Sequence, residues 1–281
     1  MDVSIVIINY NTYQYTCNCL ASILEHTKAV QYEIILVDNA SAECDPDLFL
    51  QKFPSIVLVK SKINLGFAGG NNEGIKKASG RNILLLNSDT VLIENSIRFI
   101  YEKCLPINNL GAATIKLIYP DGVIQPAAQK FYSLTAHVLF TTRLYKVFKK
   151  LYRSKKGQYN FNTDFEADWI WGTFFYFPAK NLRLMNGKLL DTYFMYSEDV
   201  EWCYTFKKNH LSNYYFGGSS VIHLGGQSST KSYKNNLLIK NHLHFIKKHK
   251  GLAAYLAEKL LLSFDEMEYR WRFGSKKLNA K

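Results

Sequence analysis

NLGFAGGNNEGIKKASGRNILLLNSDT, residues 64–90, passes from a glycine-rich turn through a short helix into a buried strand with a polar end. Gly66, Gly69 and Gly70 have no Cβ, so the backbone there can turn sharply or approach a ligand closely. Asn71–Ala78 would make two helical turns, stopped by Ser79-Gly80. Ile83–Leu86 is continuously apolar between turn residues, the pattern of a strand covered on both faces. Such strands carry their chemistry at the carboxyl end, here Asn87-Ser88-Asp89. An aspartate there, behind a polar glycine-rich loop, points to a site for a phosphorylated ligand and a divalent cation.

Upstream, Val3–Ile8 reads as a buried strand ending in the polar turn Asn9-Tyr10-Asn11. Thr12 would cap a helix whose apolar positions Leu20, Ile23 and Leu24 fall at helical spacing. Tyr32–Val37 is a second strand, ending in Asp38-Asn39-Ala40-Ser41, and Ile56–Lys60 a third. Strands alternating with helices predict an α/β fold, a mainly parallel sheet with helices on both faces. Asn9, Asp38 and Asp89 would then line one sheet edge, where open sheets of this kind bind nucleotides.

Downstream, Glu94–Cys104 reads as a helix and Gly111–Tyr119 as a strand closed by Pro120-Asp121-Gly122. Asp168–Pro178 is aromatic and β-like, and Met185–Tyr196 turns at Asn186-Gly187. Ser197-Glu198-Asp199 opens a helix through about His210, with Ser197 as its cap and two acids in its first turn. Tyr214–His223 is a last strand, and Asn235 to about Arg272 is helical with an interruption at Gly251.

The 281 residues, 47% hydrophobic and 21% charged, suffice for one large α/β domain with an appendage. No run of about 18 uncharged apolar residues is present, so no spanning helix is expected. The amino terminus lacks a basic region and reads as a first strand instead of a signal peptide. Five cysteines without Cys-x-x-Cys spacing suit free thiols in a reducing cytoplasm. The net charge of +12 is concentrated in two stretches, Gly122–Thr163 and Lys231–Lys281, each +8, which leaves the remainder at −4. The first interleaves Phe131, Tyr132, Phe140, Tyr145, Phe148 and Tyr152 with its basic residues. Both admit two readings, a face against an anionic bilayer and a solvated face. Nucleic acid is the other partner of a basic chain, but no nucleic-acid motif is present and the core is acidic, so none is expected.

The pieces VSIVIINYN, EIILVDNAS, NLGFAGGNNEGI with ILLLNSDT, the stretch from GTFFYFPAKNL to YSEDVEWCYTFKKNH, and HLGGQSS together resemble the GT-A glycosyltransferases of family 2. They are most similar to the bacterial rhamnosyltransferase branch. The likeness runs from about residue 3 to 230 in the family's order. It implies a GT-A domain over 1–230, with a nucleotide-sugar half at 1–120 and an acceptor-binding, catalytic half at 121–230. The basic helical extension at 231–281 follows. No GxGxxG is present, which leaves a dinucleotide-binding reading without support.

The resemblance implies roles for individual residues. Asp38 would accept the imide N–H of uracil or thymine while backbone at Ile8, Asn9, Tyr10 and Asn11 cradles the base. Asn39, Asn64, Gly66, Phe67, Gly70, Asn71, Asn87 and Ser88 would complete the donor site. Asp89 would bind Mg2+ or Mn2+ on the donor diphosphate, with His223 as a further ligand. The family's acid-x-acid motif is here Asn87-Ser88-Asp89. Asp199 would be the general base of an inverting transfer, with Glu198 beside it on the acceptor or the loop. Trp171, Gly172 and Asp191 would shape the sugar pocket, and Leu224–Thr230 would close on phosphate. Each has a structural alternative: a strand-end turn for Asp38, helix capping for Asp89, the helix dipole for Glu198 and Asp199, a turn for Asp191, a buried ring for His223. The Gln-x-x-Arg-Trp of processive relatives does not follow Asp199, which favours single additions.

The expected activity is transfer of one sugar, from dTDP-rhamnose or a UDP-hexose, to a carbohydrate acceptor in surface polysaccharide assembly. That acceptor is free or linked to a lipid diphosphate, and the enzyme is cytoplasmic or peripheral on the inner face of the membrane. Two alternatives stand beside it. A nucleotidyltransferase would need a basic glycine-rich loop at the first strand, which Asn9–Thr12 lacks. A non-catalytic sugar-nucleotide or glycan-binding module would not need Glu198-Asp199.

Overall fold

The structure, a computed structural model, describes residues 1–141, 159–225 and 231–273. The aromatic positions Tyr145, Phe148 and Tyr152, and residues 226–230 of the glycine-rich loop, lie outside them. The chain divides into two units, Met1–Lys130 with Asn160–Ser228, and Phe131–Tyr159 with Ser229–Lys281.

The first unit is built on strands β1 (Val3–Asn9), β2 (Tyr32–Asp38), β3 (Val57–Lys60), β4 (Asn82–Asn87), β5 (Thr90–Leu92), β6 (Leu110–Ile118), β7 (Ile124–Gln125), β8 (Ala128–Gln129), β9 (Phe165–Ala167), β10 (Trp169–Ile170), β11 (Phe174–Pro178) and β12 (Ser212–His223). The main sheet runs β3-β2-β1-β4-β11-β6-β12-β5. Its first four strands are mutually parallel, β6 and β12 pair in parallel, and β11 and β5 are antiparallel to their neighbours. The expected α/β sheet is therefore present, parallel throughout its amino-terminal half and mixed in the other. Ile83–Leu86 is buried, as a continuous apolar run at the centre of a sheet must be when layers cover both faces.

The helices of this unit are α1 (Tyr13–His26), α2 (Asp47–Lys52), α3 (Gly66–Ile75) and α4 (Ser96–Cys104), and a later one described below. Three local expectations are corrected. The glycine cluster is not a turn ahead of a helix at Asn71: α3 starts at Gly66 itself. Gly66 sits at φ +71, where a Cβ would lie 2.0 Å from the Phe194 carbonyl oxygen, while a Cβ on Gly74 would lie 2.4 Å from Val6 Cγ1. Gly74 thus lets the helix lie close against β1 and β2, and Gly66 lets its first turn meet the Phe194 backbone. Thr12 occupies the cap position of α1 but its side chain makes no capping bond. Its hydroxyl bonds Asn9 Oδ1 and Ser88 Oγ instead. Leu24, at 41%, is exposed; the buried face of α1 runs through Thr16, Cys17, Cys19, Leu20 and Ile23. All five cysteines are unpaired thiols.

The second unit contains α5 (Leu134–Thr141) and a long helix at Lys231–Phe273 with non-helical backbone at Gly251, where the sequence places the interruption. Among the described residues no helix is long and apolar enough to cross a membrane.

Candidate active site

The carboxyl ends of β1, β2 and β4 meet as the alternation of strands and helices requires. Asn9 Nδ2 donates to Asp38 Oδ1 (2.9 Å) and to Ser41 Oγ (2.9 Å), and Ser41 N donates to Asp38 Oδ2 (3.2 Å). Asn39 is 2% exposed. Its Nδ2 donates to Asn64 Oδ1 and the Gly66 carbonyl, and its Oδ1 accepts from Leu65 N. Asn64 Oδ1 also accepts from Gly66 N, and buried Asn71 donates to the Phe67 carbonyl. Asn11 donates through its backbone N–H to Ser41 Oγ and accepts from Ala42 N. Every polar side chain expected to bind the donor at this corner is thus already bonded to its neighbours, while Tyr10 is exposed and Ile8 lies against the Gly70 backbone.

One strand over, the edge is less saturated. Asn87 N donates to the Thr173 carbonyl (2.9 Å), which ties the end of β4 to the start of β11, and Ser88 Oγ bonds Thr12. The Asp89 backbone carbonyl accepts from Leu224 N (3.0 Å) and its Oδ2 from Gly225 N (3.1 Å). Asp89 Oδ1 faces His223 Nε2 across 3.5 Å.

The other ring nitrogen explains that separation. Gln125 Nε2 donates to the His223 carbonyl (2.7 Å), which directs Gln125 Oε1 at His223 Nδ1 (2.6 Å). An amide oxygen can only accept, so this network assigns a proton to Nδ1, and in the neutral ring the Nε2 lone pair then faces Asp89. A carboxylate oxygen and an imidazole nitrogen then face each other as two acceptors, a donor set that suits Mn2+ or Mg2+. Among the described residues no group of three His, Cys, Asp or Glu could hold a metal, so diphosphate oxygens and water would supply the remaining ligands. Gln125 was not anticipated; it stands on β7, a two-residue strand without a sequence signature.

The carboxylate pair lies at the start of α6 (Glu198–Lys208). Tyr196 and Ser197 ahead of it both have positive φ, 68° and 73°, conformations that cost L-residues free energy and concentrate at functional sites. Ser197 is the cap residue but makes no side-chain capping bond, which corrects the expected cap. Left-handed backbone there aims the first turn inward, so Glu198 is 4% exposed. Asp199 Oδ2 accepts from Gly172 N (3.0 Å) and Oδ1 from Val200 N (2.9 Å). A Cβ on Gly172 would lie 3.0 Å from Phe67 Cε1 and 3.7 Å from Asp199 Cβ. Gly172 therefore meets two other expected site residues, Phe67 and Asp199, at the head of β11, beside the Thr173–Asn87 link to β4.

Burial acts on both acids. It pushes Glu198 up to about 8, assisted by the Asp199 charge. It raises Asp199 to about 6 against the opposing pull of the Gly172 and Val200 N–H groups. Glu198 Oε2 is buried with no partner, as suits a carboxyl that holds its proton at neutral pH. Burial thus favours the neutral form of Glu198 over that of Asp199, whose oxygens accept two backbone N–H groups.

Two further expected residues, Trp171 and Asp191, and the core residue Trp202, one turn beyond Asp199, bond to groups other than these acids. Trp171 packs on the core and its backbone N–H donates to the Ala127 carbonyl. Asp191 is exposed and pairs with Lys188 (2.9 Å). Trp202 is fully buried, with Nε1 donating to the Leu190 carbonyl (2.8 Å).

Comparison with known proteins adds a family. The sequence model of glycosyl transferase family 2 matches residues 4–194. An uncharacterized glycosyltransferase of Bacillus subtilis (strain 168), YwdF, is 25% identical over 206 residues, covering 70% of this chain and 75% of that protein. Poly(ribitol-phosphate) beta-glucosyltransferase of Bacillus spizizenii is 36% identical over 94 residues, 32% of this chain and only 15% of that protein. The crystal structure of GalNAc-T7 with UDP, GalNAc and Mn2+ superposes with a TM-score of 0.61 at 15% identity, over 88% of this chain and 48% of that one. At that identity the likeness speaks for the fold alone, a GT-A sheet. The chain spans less than half the length of these last two proteins.

Proposed function

Because the chain belongs to glycosyl transferase family 2, whose match covers residues 4–194, we propose that it transfers one sugar, with inversion, from a nucleotide-diphosphate donor to a carbohydrate acceptor. The observation that carries this reading is Asp199: a carboxylate held by the Gly172 N–H at 3.0 Å, with its pKa lifted to about 6, at the end of the same sheet edge as Asp89. A base works best when its pKa lies near the working pH. Two neighbouring carboxyls whose environments separate their pKa values divide into a charged base and a neutral partner. Asp199 takes the acceptor hydroxyl's proton as that oxygen attacks the anomeric carbon from the face opposite the leaving nucleotide. Glu198 stays protonated, so no second negative charge repels the attacking oxygen.

Asp89 and His223 would hold a divalent cation, which when bound neutralises charge on the leaving diphosphate. Gln125 keeps the His223 Nε2 lone pair pointed at that place. The corner of Asn9, Asp38, Asn39 and Asn64 forms the rigid floor under the donor base, and Trp171 and Asp191 border the acceptor side. The donor is dTDP-rhamnose or a UDP-hexose. The acceptor is a sugar of a surface polysaccharide or wall glycan, free or carried on a lipid diphosphate; the name of the Bacillus spizizenii relative supports the wall-glycan class.

A thermal-shift series with dTDP, UDP, GDP, CMP and ATP, each with and without Mn2+, tests the reading, because a ligand of the native state raises the midpoint by mass action. A shift with dTDP or UDP that grows with Mn2+ is expected. Transfer from the corresponding sugar nucleotide should then give product of inverted anomeric configuration by NMR. No shift with any diphosphate would overturn the donor reading, and product of retained configuration would overturn Asp199 as base.

A further inference from the structure

The sequence contains one pronounced feature that sugar transfer does not use, the basic, leucine-rich helix of the second unit, here α7 (Lys231–Phe273). Beyond its break at Gly251 this helix turns its leucines outward. Leu252, Leu256 and Leu260 are 59%, 56% and 59% exposed, and Phe264 is 50% exposed. Side chains four residues apart lie above one another on a helix, so these four form a single stripe. Lys259 and Ser263 are the exposed polar side chains among residues 252–264.

The opposite side of the helix carries an acid. Glu258 is 1% exposed and accepts from His242 Nε2 (2.8 Å) and His137 Nδ1 (3.0 Å), with the Tyr132 hydroxyl also bonded to it. This reverses the usual order, in which a helix of a water-exposed unit buries leucine and exposes glutamate. Rolling the segment beyond Gly251 to hide the stripe would pull the buried Glu258 away from His137 and Tyr132, which stand outside this helix, a large penalty. The leucines therefore face outward because the acid is held inward.

Charge indicates what covers them. Lys259 is exposed on the same segment, next to Leu260, and Lys240, Lys247, Lys248 and Lys250 are exposed just ahead of the break at Gly251. By sequence the second unit holds nineteen Lys/Arg against four Asp/Glu, net +15, and the first is net −3, which together make the chain's +12. A second copy on this face would bring a like charge of the same size. Among the described residues no helix is long and apolar enough to cross a membrane, and an exposed apolar stripe flanked by lysines is the pattern of a helix lying in the interface.

We propose that the outward face of α7 is a docking surface for an anionic lipid bilayer. Leu252, Leu256, Leu260 and Phe264 enter the boundary between headgroups and acyl chains, and the neighbouring lysines meet the lipid phosphates.

Vesicle flotation of the full chain tests this, comparing phosphatidylcholine alone with phosphatidylcholine containing about 30% phosphatidylglycerol. The wild-type protein should float with the anionic vesicles and stay behind with the neutral ones. Raising NaCl from about 0.1 M to about 0.5 M should release most of it, since screening shortens the reach of the lysines. Leu256→Glu with Leu260→Glu should lower partition about tenfold or more, with unchanged helical circular dichroism. Leu256→Ala with Leu260→Ala, a milder pair, should give a smaller loss in the same direction. Wild-type protein that ignores anionic vesicles would overturn the proposal, as would glutamate variants that float undiminished. So would a dimer in sedimentation that the same substitutions dissolve in the absence of vesicle binding. Thermal shift with UDP and Mn2+ on the same samples reads the transfer site separately, so failure of one reading is distinguishable from failure of the other.

Discussion

Two polar corners on one sheet edge differ in how their side chains are used. At the ends of β1 and β2, Asn9, Asp38, Asn39 and Asn64 are bonded to one another and to the loop entering α3. At the ends of β4, β11 and β12 the polar atoms are buried but left with capacity. Glu198 Oε2 has no partner and Asp89 Oδ1 meets a ring nitrogen at 3.5 Å, while left-handed backbone occurs at both corners, at Asn11 and Ala40 in the first and at Tyr196 and Ser197 in the second. A buried polar group without a partner costs free energy; among the described residues Thr27, Thr114 and Asn213 carry such atoms too, and Glu198 differs from them in standing beside the Asp199 carboxylate. On the proposed reading, the first corner supports the donor base and the second holds the reacting groups.

The comparison predicts opposite signatures for substitutions at the two corners. The largest effect is expected from Asp199→Asn, which should lower kcat by about a thousandfold or more, roughly 4 kcal/mol, while donor affinity stays within about tenfold. Near-normal turnover in single-turnover assays would remove Asp199 as base. Asn39→Ala should do the reverse. Losing the bonds to Asn64, Leu65 and Gly66 should cost about 2–3 kcal/mol of stability in urea titration, with kcat per folded molecule little changed.

Gln125→Leu comes next. Without its Oε1 acceptor the His223 ring can take either tautomer, and Mn2+ affinity of the nucleotide complex should fall about tenfold. Calorimetry measures this, and nitrogen NMR of His223 should show loss of the Nδ1–H form; unchanged values in both would make Gln125 purely structural.

The pH dependence follows from the acid pair. Activity should rise as Asp199 deprotonates around pH 6 and decline above about 8 as Glu198 ionises beside it. Glu198→Gln should abolish the alkaline decline and keep the acid limb. Both folded-state pKa values are raised, so the stability linked to them is present below the ordinary carboxylate range and lost as pH rises through the folded values. Melting temperature should therefore fall from pH 5 to 8, less steeply in Glu198→Gln. The smallest effect is expected at Asp191→Asn, whose exposed partner Lys188 implies about 0.5 kcal/mol or less of stability; a large rise in acceptor KM there would bring Asp191 into the sugar pocket.

Much of this was legible in the sequence because it depends on short-range pattern. Ile83–Leu86 is apolar on both faces and could only be a central strand, and the strand ends then bring Asn9, Asp38 and Asp89 to one edge by the geometry of parallel sheets. The break at Gly251 was legible for the same local reason. What the sequence could not specify was set by contacts across long separations. Gly66 as the first residue of α3 depends on the Phe194 carbonyl, 128 positions away. The left-handed backbone that replaces the Ser197 cap, and the Gly172 N–H that orients Asp199, depend on β11 pairing with β4. Gln125 depends on a two-residue strand meeting the end of β12. Periodicity determines which face of an element is apolar, and so the fold class and the sheet edge. Which polar atoms on that edge are satisfied, and which remain for a ligand, is decided only when distant segments pack, because hydrogen bonds are directional over about 3 Å and carry no period along the chain.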